Sequence, residues 1–144
     1  MKHLLLSAVT AALMATTPLI AQEMKAETRN DLSYMRVEMY KFKPGTGMRR
    51  AEIEAKFMAA GKAAGTPEPT IIHNETGAWD AIYVFPLREG LKELEYRTSP
   101  TDAAFMNALA KSEGGMDKAK ALRKEWNDTV ENELDNIGHV HKPK

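Results

Sequence analysis

The sequence predicts an α+β domain: a four-stranded antiparallel sheet with helices on one of its faces. Three observations predict it. Apolar and aromatic side chains alternate with polar ones over residues 34–42, apolar residues recur at helical spacing over 53–64 and again over 105–126, and two short strand-like runs flank a turn at Gly77. The element order is therefore strand, helix, strand, strand, helix, strand. A chain of 144 residues, 43% hydrophobic and 28% charged, is of ordinary size and composition for one such domain.

In chain order, the first segment reads as an address. Lys2 precedes an uncharged, mostly apolar stretch from Leu4 to Ala21, after which Gln22-Glu23-Met24-Lys25 turns polar. This is the pattern of a secretory signal peptide over residues 1–21, with cleavage expected after Ala21. A membrane span is disfavoured, because spanning needs about 20 apolar residues and Thr10, Thr16, Thr17 and Pro18 interrupt the run. The expected location is periplasmic or secreted, with no membrane association once the signal is removed. Residues 22–31 form a polar leader, and residues 32–144 the single domain.

Tyr34 to Phe42 reads as a strand with Met35, Val37 and Met39 on one face and Tyr34, Arg36, Glu38, Tyr40 and Phe42 on the other. The second face, half aromatic and half charged, suits a partly wet cavity or a subunit contact. Pro44-Gly45-Thr46-Gly47 turns the chain, and Ile53, Phe57, Ala60 and Ala64 give the next helix one apolar face until Gly65-Thr66-Pro67 stops it. Thr70 to Thr76 and Ala78 to Phe85 form a hairpin, ended by Pro86. Leu91, Leu94 and Tyr96 mark a short helix. Ser99-Pro100-Thr101-Asp102 then opens a long one, with a capping hydroxyl, a proline in the first turn and an early acid. Phe105, Leu109, Ala119, Leu122 and Trp126 carry it across Gly114-Gly115, where it should bend or break. Val130 to Val140 fits either a helical extension or one face of an edge strand, and the strand is preferred.

This order is the ferredoxin-like βαββαβ sandwich. One face of its sheet is left uncovered, and an apolar face of that size favours pairing of two sheets, so a homodimer is expected. Four segments carry a resemblance. Tyr40-Lys41-Phe42-Lys43-Pro44-Gly45 closes the first strand, Ala64-Gly65 ends the first helix, Gly77-Ala78-Trp79-Asp80 forms the hairpin, and Ser99-Pro100 opens the second long helix. Together they resemble the dimeric α/β-barrel superfamily, which includes antibiotic-biosynthesis-type and haem-degrading monooxygenases. The likeness spans residues 33–140 and implies a homodimeric α/β barrel with a small-molecule pocket between sheet and helices. In the monooxygenases a tryptophan and an asparagine hold an aromatic substrate near oxygen, and Trp79 with Asn74 is the counterpart here. Their asparagine usually lies on the first strand, where this chain offers Tyr34, Arg36, Glu38 and Tyr40. The haem degraders draw a histidine from the second long helix, and residues 99–127 contain none.

With no cysteine, the chain forms no disulfide, thiolate nucleophile or Cys-ligated metal centre. Twenty basic and twenty acidic residues, with no basic run beyond Arg49-Arg50, give no nucleic-acid surface. P-loop, dinucleotide-binding and Gly-x-Ser-x-Gly motifs are missing. A tight loop about Thr76-Gly77 sets His73 opposite Asp80, an imidazole–carboxylate pair suited to general-base work or to fixing strand register. The same register puts Asn74 beside Trp79, with Ile72, Ala81 and Tyr83 on that face. His139 and His141 point two rings one way, short of a closed metal site. Arg36, Glu38 and Arg97 are candidate contacts for an acidic or polar ligand. Neither a cofactor nor a metal is expected.

Two functional readings follow. The first is an exported small-molecule-binding protein acting as a cofactor-independent, monooxygenase- or isomerase-like enzyme on an aromatic or other small organic substrate. His73 would be its base and Asp80 the helper, with Trp79, Asn74, Tyr83, Tyr40 and Arg36 around the substrate. The alternative is a non-catalytic homodimeric binding or structural protein.

Overall fold

The computed structural model describes residues 25–142, so the signal-peptide segment lies outside the described residues. The strands are β1 (Leu32–Phe42), β2 (Thr70–His73), β3 (Ala81–Pro86) and β4 (Val130–His141). The α-helices are α1 (Gly47–Ala64), α2 (Pro100–Glu113) and α3 (Met116–Thr129), with a 3₁₀ helix over Gly90–Glu95. All three strand pairings are antiparallel and the sheet order is β2-β3-β1-β4, the ferredoxin-like arrangement. None of the described helices is long and apolar enough to cross a membrane.

Local chemistry sets the helix ends. Gly65 ends α1 in the left-handed region at φ 63°, its N–H donating to Lys62 O. Ser99 caps α2 in a full capping box: its Oγ accepts from Asp102 N at 3.0 Å, and Asp102 Oδ2 accepts from Ser99 N at 3.4 Å. The long second helix is two helices, because Gly114 and Gly115 take φ values of 81° and 138° that side chains with a Cβ rarely adopt. The ambiguous last segment is a strand. Val130 pairs with Phe42 beyond an irregularity at Lys41/Phe42, and Lys43 N donates to Thr129 O at 2.8 Å, so the backbone leaves the helix as soon as it reaches β1.

The alternation in β1 decides which side of the sheet carries the core. Tyr40 and Phe42 pack under the helices with Ala81, Tyr83, Ile53, Ala60, Leu109, Ala119, Leu122 and Trp126. Arg36 and Glu38 lie on that same helix side, so the aromatic-and-charged face lines the space under the helices and not a sheet-to-sheet contact. The other face is the one left without helices among the described residues. There the cross-strand register aligns Ile72, Ile82, Met39 and Leu134 in one row, one residue from each strand, with Val84 and Val37 in the next. No helix of the described residues covers these rows, and Ile72 and Leu134 are 46% and 42% exposed.

The hairpin departs from its expected register. His73 lies opposite Ala81 and Ile71 opposite Tyr83, one residue away from the pairing that would have faced His73 with Asp80. The cause is a third strand. Asp80 N donates to Tyr40 O at 2.8 Å and the Asp80 carboxylate accepts from Phe42 N at 2.8 Å and Lys41 Nζ at 2.7 Å. These bonds to β1 fix Asp80 in place, and the loop 74–80 takes up the extra length.

Candidate functional site

That register shift dissolves the expected catalytic pair. His73 is exposed at the end of an edge strand, while Asp80 is committed to Lys41 and the Phe42 amide, which hold its carboxyl below the usual range. Asn74 does meet Trp79, but through its side-chain amide, which donates to Trp79 O at 3.0 Å and closes the loop. Trp79 is half-buried in that loop and stacks on none of the aromatic rings of the core. Ile72 pairs with Ile82 on the open face, whereas Ala81 and Tyr83 face the helices, so the expected grouping of the three on one face is also corrected. His139 and His141 do share a face, their ring centroids 5.6 Å apart, but His141 turns to Asp31 at 3.1 Å. Among the described residues no group of three potential ligands is placed to hold a metal ion.

The aromatic residues that do converge are Tyr40, Tyr83, Phe42, Phe57 and Trp126. Trp126 of α3 sits at the centre, with ring centroids of Phe42, Tyr40 and Tyr83 at 5.6, 5.9 and 6.0 Å, all edge-on. Each tyrosine hydroxyl leaves this cluster towards a carboxylate. Tyr40 donates to Glu38 Oε2 at 2.6 Å, and Tyr83 donates to Glu54 Oε2 of α1 at 3.0 Å. Burial and then the neighbouring carboxylate push both phenols well above their ordinary range, so they act as donors and not as phenolate bases.

Glu38 is the unusual acid of this face. Desolvation raises its carboxyl above the ordinary value, against the opposing effect of the Tyr40 hydrogen bond; Asp135 adds to the rise and Arg36 works against it. Its cross-strand neighbours are Tyr83 on β3 and Asp135 on β4. Two residues along, Arg36 reaches Asp135 only at 3.8 Å, and its Nε is buried without a hydrogen-bond partner. A buried donor left unmatched is costly and rare in a folded protein.

Arg36 lies at the inner edge of a cleft of about 540 Å³ between the sheet and the pair α2–α3. Arg97, Met106, Lys120, Arg123 and Lys124 are among the residues that line the rest of it. The helix α3 divides cleanly in two: Ala119, Leu122 and Trp126 are buried, while Lys120, Arg123, Lys124 and Asn127 border the cleft. Arg36 and Arg97 are among the sequence's candidate contacts for an acidic or polar ligand, and the α3 cations are not. Their i, i+3, i+4, i+7 spacing, opposite the apolar stripe, is the signal that marks them as one face.

Comparison with known proteins bears on the fold. No protein-family model matches the chain, and neither does any curated protein sequence. Among solved structures, a NIPSNAP-family protein of unknown function from Agrobacterium tumefaciens superposes with a TM-score of 0.52 at 12% identity, covering 81% of this chain and 95% of its own. A second NIPSNAP-family protein from that organism aligns over 74% of this chain and 90% of its own, with a TM-score of 0.49 at 13% identity. A NIPSNAP domain protein from Burkholderia xenovorans gives 0.42 at 13% identity over 74% of this chain and 91% of its own. At such identities the first likeness speaks for a shared ferredoxin-like fold and for nothing about chemistry.

Proposed function

We propose that this is an exported, homodimeric small-molecule-binding protein whose ligand occupies the cleft between β1 and α2–α3. The observation that carries the reading is Arg36: a guanidinium on the sheet, loosely paired with Asp135 at 3.8 Å, at the edge of an open cleft of about 540 Å³. Binding and not catalysis is the role supported. The residues chosen as base and helper, His73 and Asp80, lie apart, and neither lines the cleft. Titrating the labelled protein with a library of small organic compounds, and following backbone amide NMR shifts, tests this. Saturable shifts centred on Arg36, Met106 and Arg123 are the expected result; shifts confined to other surfaces, or none, overturn it.

The dimer rests on the open sheet face. The row of Ile72, Ile82, Met39 and Leu134 spans all four strands, set about 4.8 Å apart, and Val84 and Val37 extend it on the two central ones between Thr70 and Asn136; an apolar surface repeated on each copy can meet its own image about a two-fold axis. Export rests on residues 1–21 alone. Intact mass of the protein from its native source should show their loss.

A further inference from the structure

We propose that the ligand of the cleft is a small organic anion carrying at least two negative charges, on carboxylate or phosphate groups. This rests on the small-molecule reading above and adds the chemical class. The chain as a whole is neutral, with 20 basic and 20 acidic residues, yet Arg36, Arg97, Lys120, Arg123 and Lys124 line the cleft against one acid, Asp102. That acid is already engaged. Its carboxylate accepts from Ser99 Oγ at 2.9 Å and from Ser99 N in the α2 cap.

The cations are unequally matched. Lys124 pairs with Asp128 at 2.7 Å, and Arg36 has Asp135 at 3.8 Å. Arg97, Lys120 and Arg123 have no carboxylate within 4.0 Å among the described residues; Arg123 Nη1 meets only the Met106 sulfur, at 3.9 Å. On the other side of the same helix the pattern is the reverse, since Glu125 takes two hydrogen bonds from Arg49 of α1, at 2.6 and 2.8 Å. So α3 satisfies its acid against a neighbouring helix and leaves its bases facing the cleft. Lys120, Arg123 and Lys124, within about one helical turn, repel one another, and an anion between them and Arg36 removes that repulsion.

Size and chemistry narrow the class further. The cleft is open to solvent, and its volume of about 540 Å³ leaves room for an organic molecule as well as for a bare ion. Guanidinium groups come from three separate elements, the sheet (Arg36), the loop before α2 (Arg97) and α3 (Arg123), which suits a molecule with separated anionic groups, each able to take a two-pronged contact. Met106 offers contact for a short carbon skeleton.

The experiment is isothermal titration of the purified protein with citrate, pyrophosphate and sorbitol, near 150 mM ionic strength so that diffuse attraction is screened. Expected is one site per chain for citrate or pyrophosphate, and no heat of binding with sorbitol; whichever anion binds more tightly separates the carboxylate from the phosphate source. Arg36→Gln and Arg123→Gln should each weaken binding by tenfold or more. Lys120→Gln, at an exposed position, repeats the test without risk to the fold. Lys62→Gln, on exposed α1 surface away from the cleft, should stay within twofold of wild type. Absence of binding by both anions overturns the proposal, as does equal weakening by Lys62→Gln. If the NMR screen finds a neutral ligand in the cleft while both anions fail, the binding reading stands and the anion assignment falls.

Discussion

Glu38 shows how far one position can depart from what its residue type prefers. Its carboxyl sits half-buried beside Tyr40, Tyr83 and Asp135, and the folded state favours its protonated form. A carboxyl raised on folding adds stability below its unfolded pKa and loses that contribution as pH rises through the folded value. Glu38→Gln removes the loss while keeping an oxygen for the Tyr40 hydroxyl. The variant should therefore gain on wild type as pH is raised from 4 to 8, read as a growing difference in Tm; a constant difference across that range would show that Glu38 carries no raised pKa. Leu109 tests the core in the plainest way. It is fully buried between the helices and the sheet, so Leu109→Ala should lose about 2–5 kcal/mol in urea unfolding.

The elements differ in how they are held. Helix α2 is fixed at its start by Ser99, and Ser99→Ala should cost about 0.5–2 kcal/mol, since it strands the Asp102 amide and removes the bond from Ser99 Oγ to the Asp102 carboxylate. Ser99→Thr should keep most of the stability, because its hydroxyl can both accept from the Asp102 amide and donate to the Asp102 carboxylate. The β2–β3 hairpin is held less by its own turn than by β1. Asp80→Ala removes partners of Lys41 and of the Phe42 amide, so the effect should appear as faster amide exchange in β1 near Phe42 as well as in the 74–80 loop. Exchange altered only within the loop would contradict this account of the register.

At the scale of the whole molecule the sheet has two unlike faces. One is packed by helices and borders the basic cleft at Arg36 of β1; the other carries a central apolar row and no helix among the described residues. If two copies meet through the bare face, Ile72→Glu and Leu134→Glu together should convert the dimer to a folded monomer by light scattering. Both side chains are exposed in the single chain, so a charge there does not disturb the core. A wild-type protein that is monomeric at micromolar concentration would remove the dimer from the proposal and leave the cleft untouched, since every group assigned to it lies on one chain.

The sequence alone determined the element order, the split at Gly114-Gly115, the Ser99 cap and the alternation that sets Arg36, Glu38, Tyr40 and Phe42 on one face. These depend on φ angles, hydrogen bonds within a turn and side-chain period, all of which act over a few residues. Sequence reasoning put Arg36 and Tyr40 on one face of β1 and named Tyr83 as a candidate contact, but it grouped Tyr83 with Ile72, and it missed Trp126 as the hub of the aromatic cluster and the α3 cations as part of the cleft. Tertiary structure decided the remainder. The hairpin register turned on hydrogen bonds from Asp80 to a strand 38 residues away, and these outweighed the local turn that would have paired His73 with Asp80. The cleft likewise exists only where α3 docks beside β1, because long-range packing is what brings Lys120 and Arg123 towards Arg36 and withdraws water from Glu38.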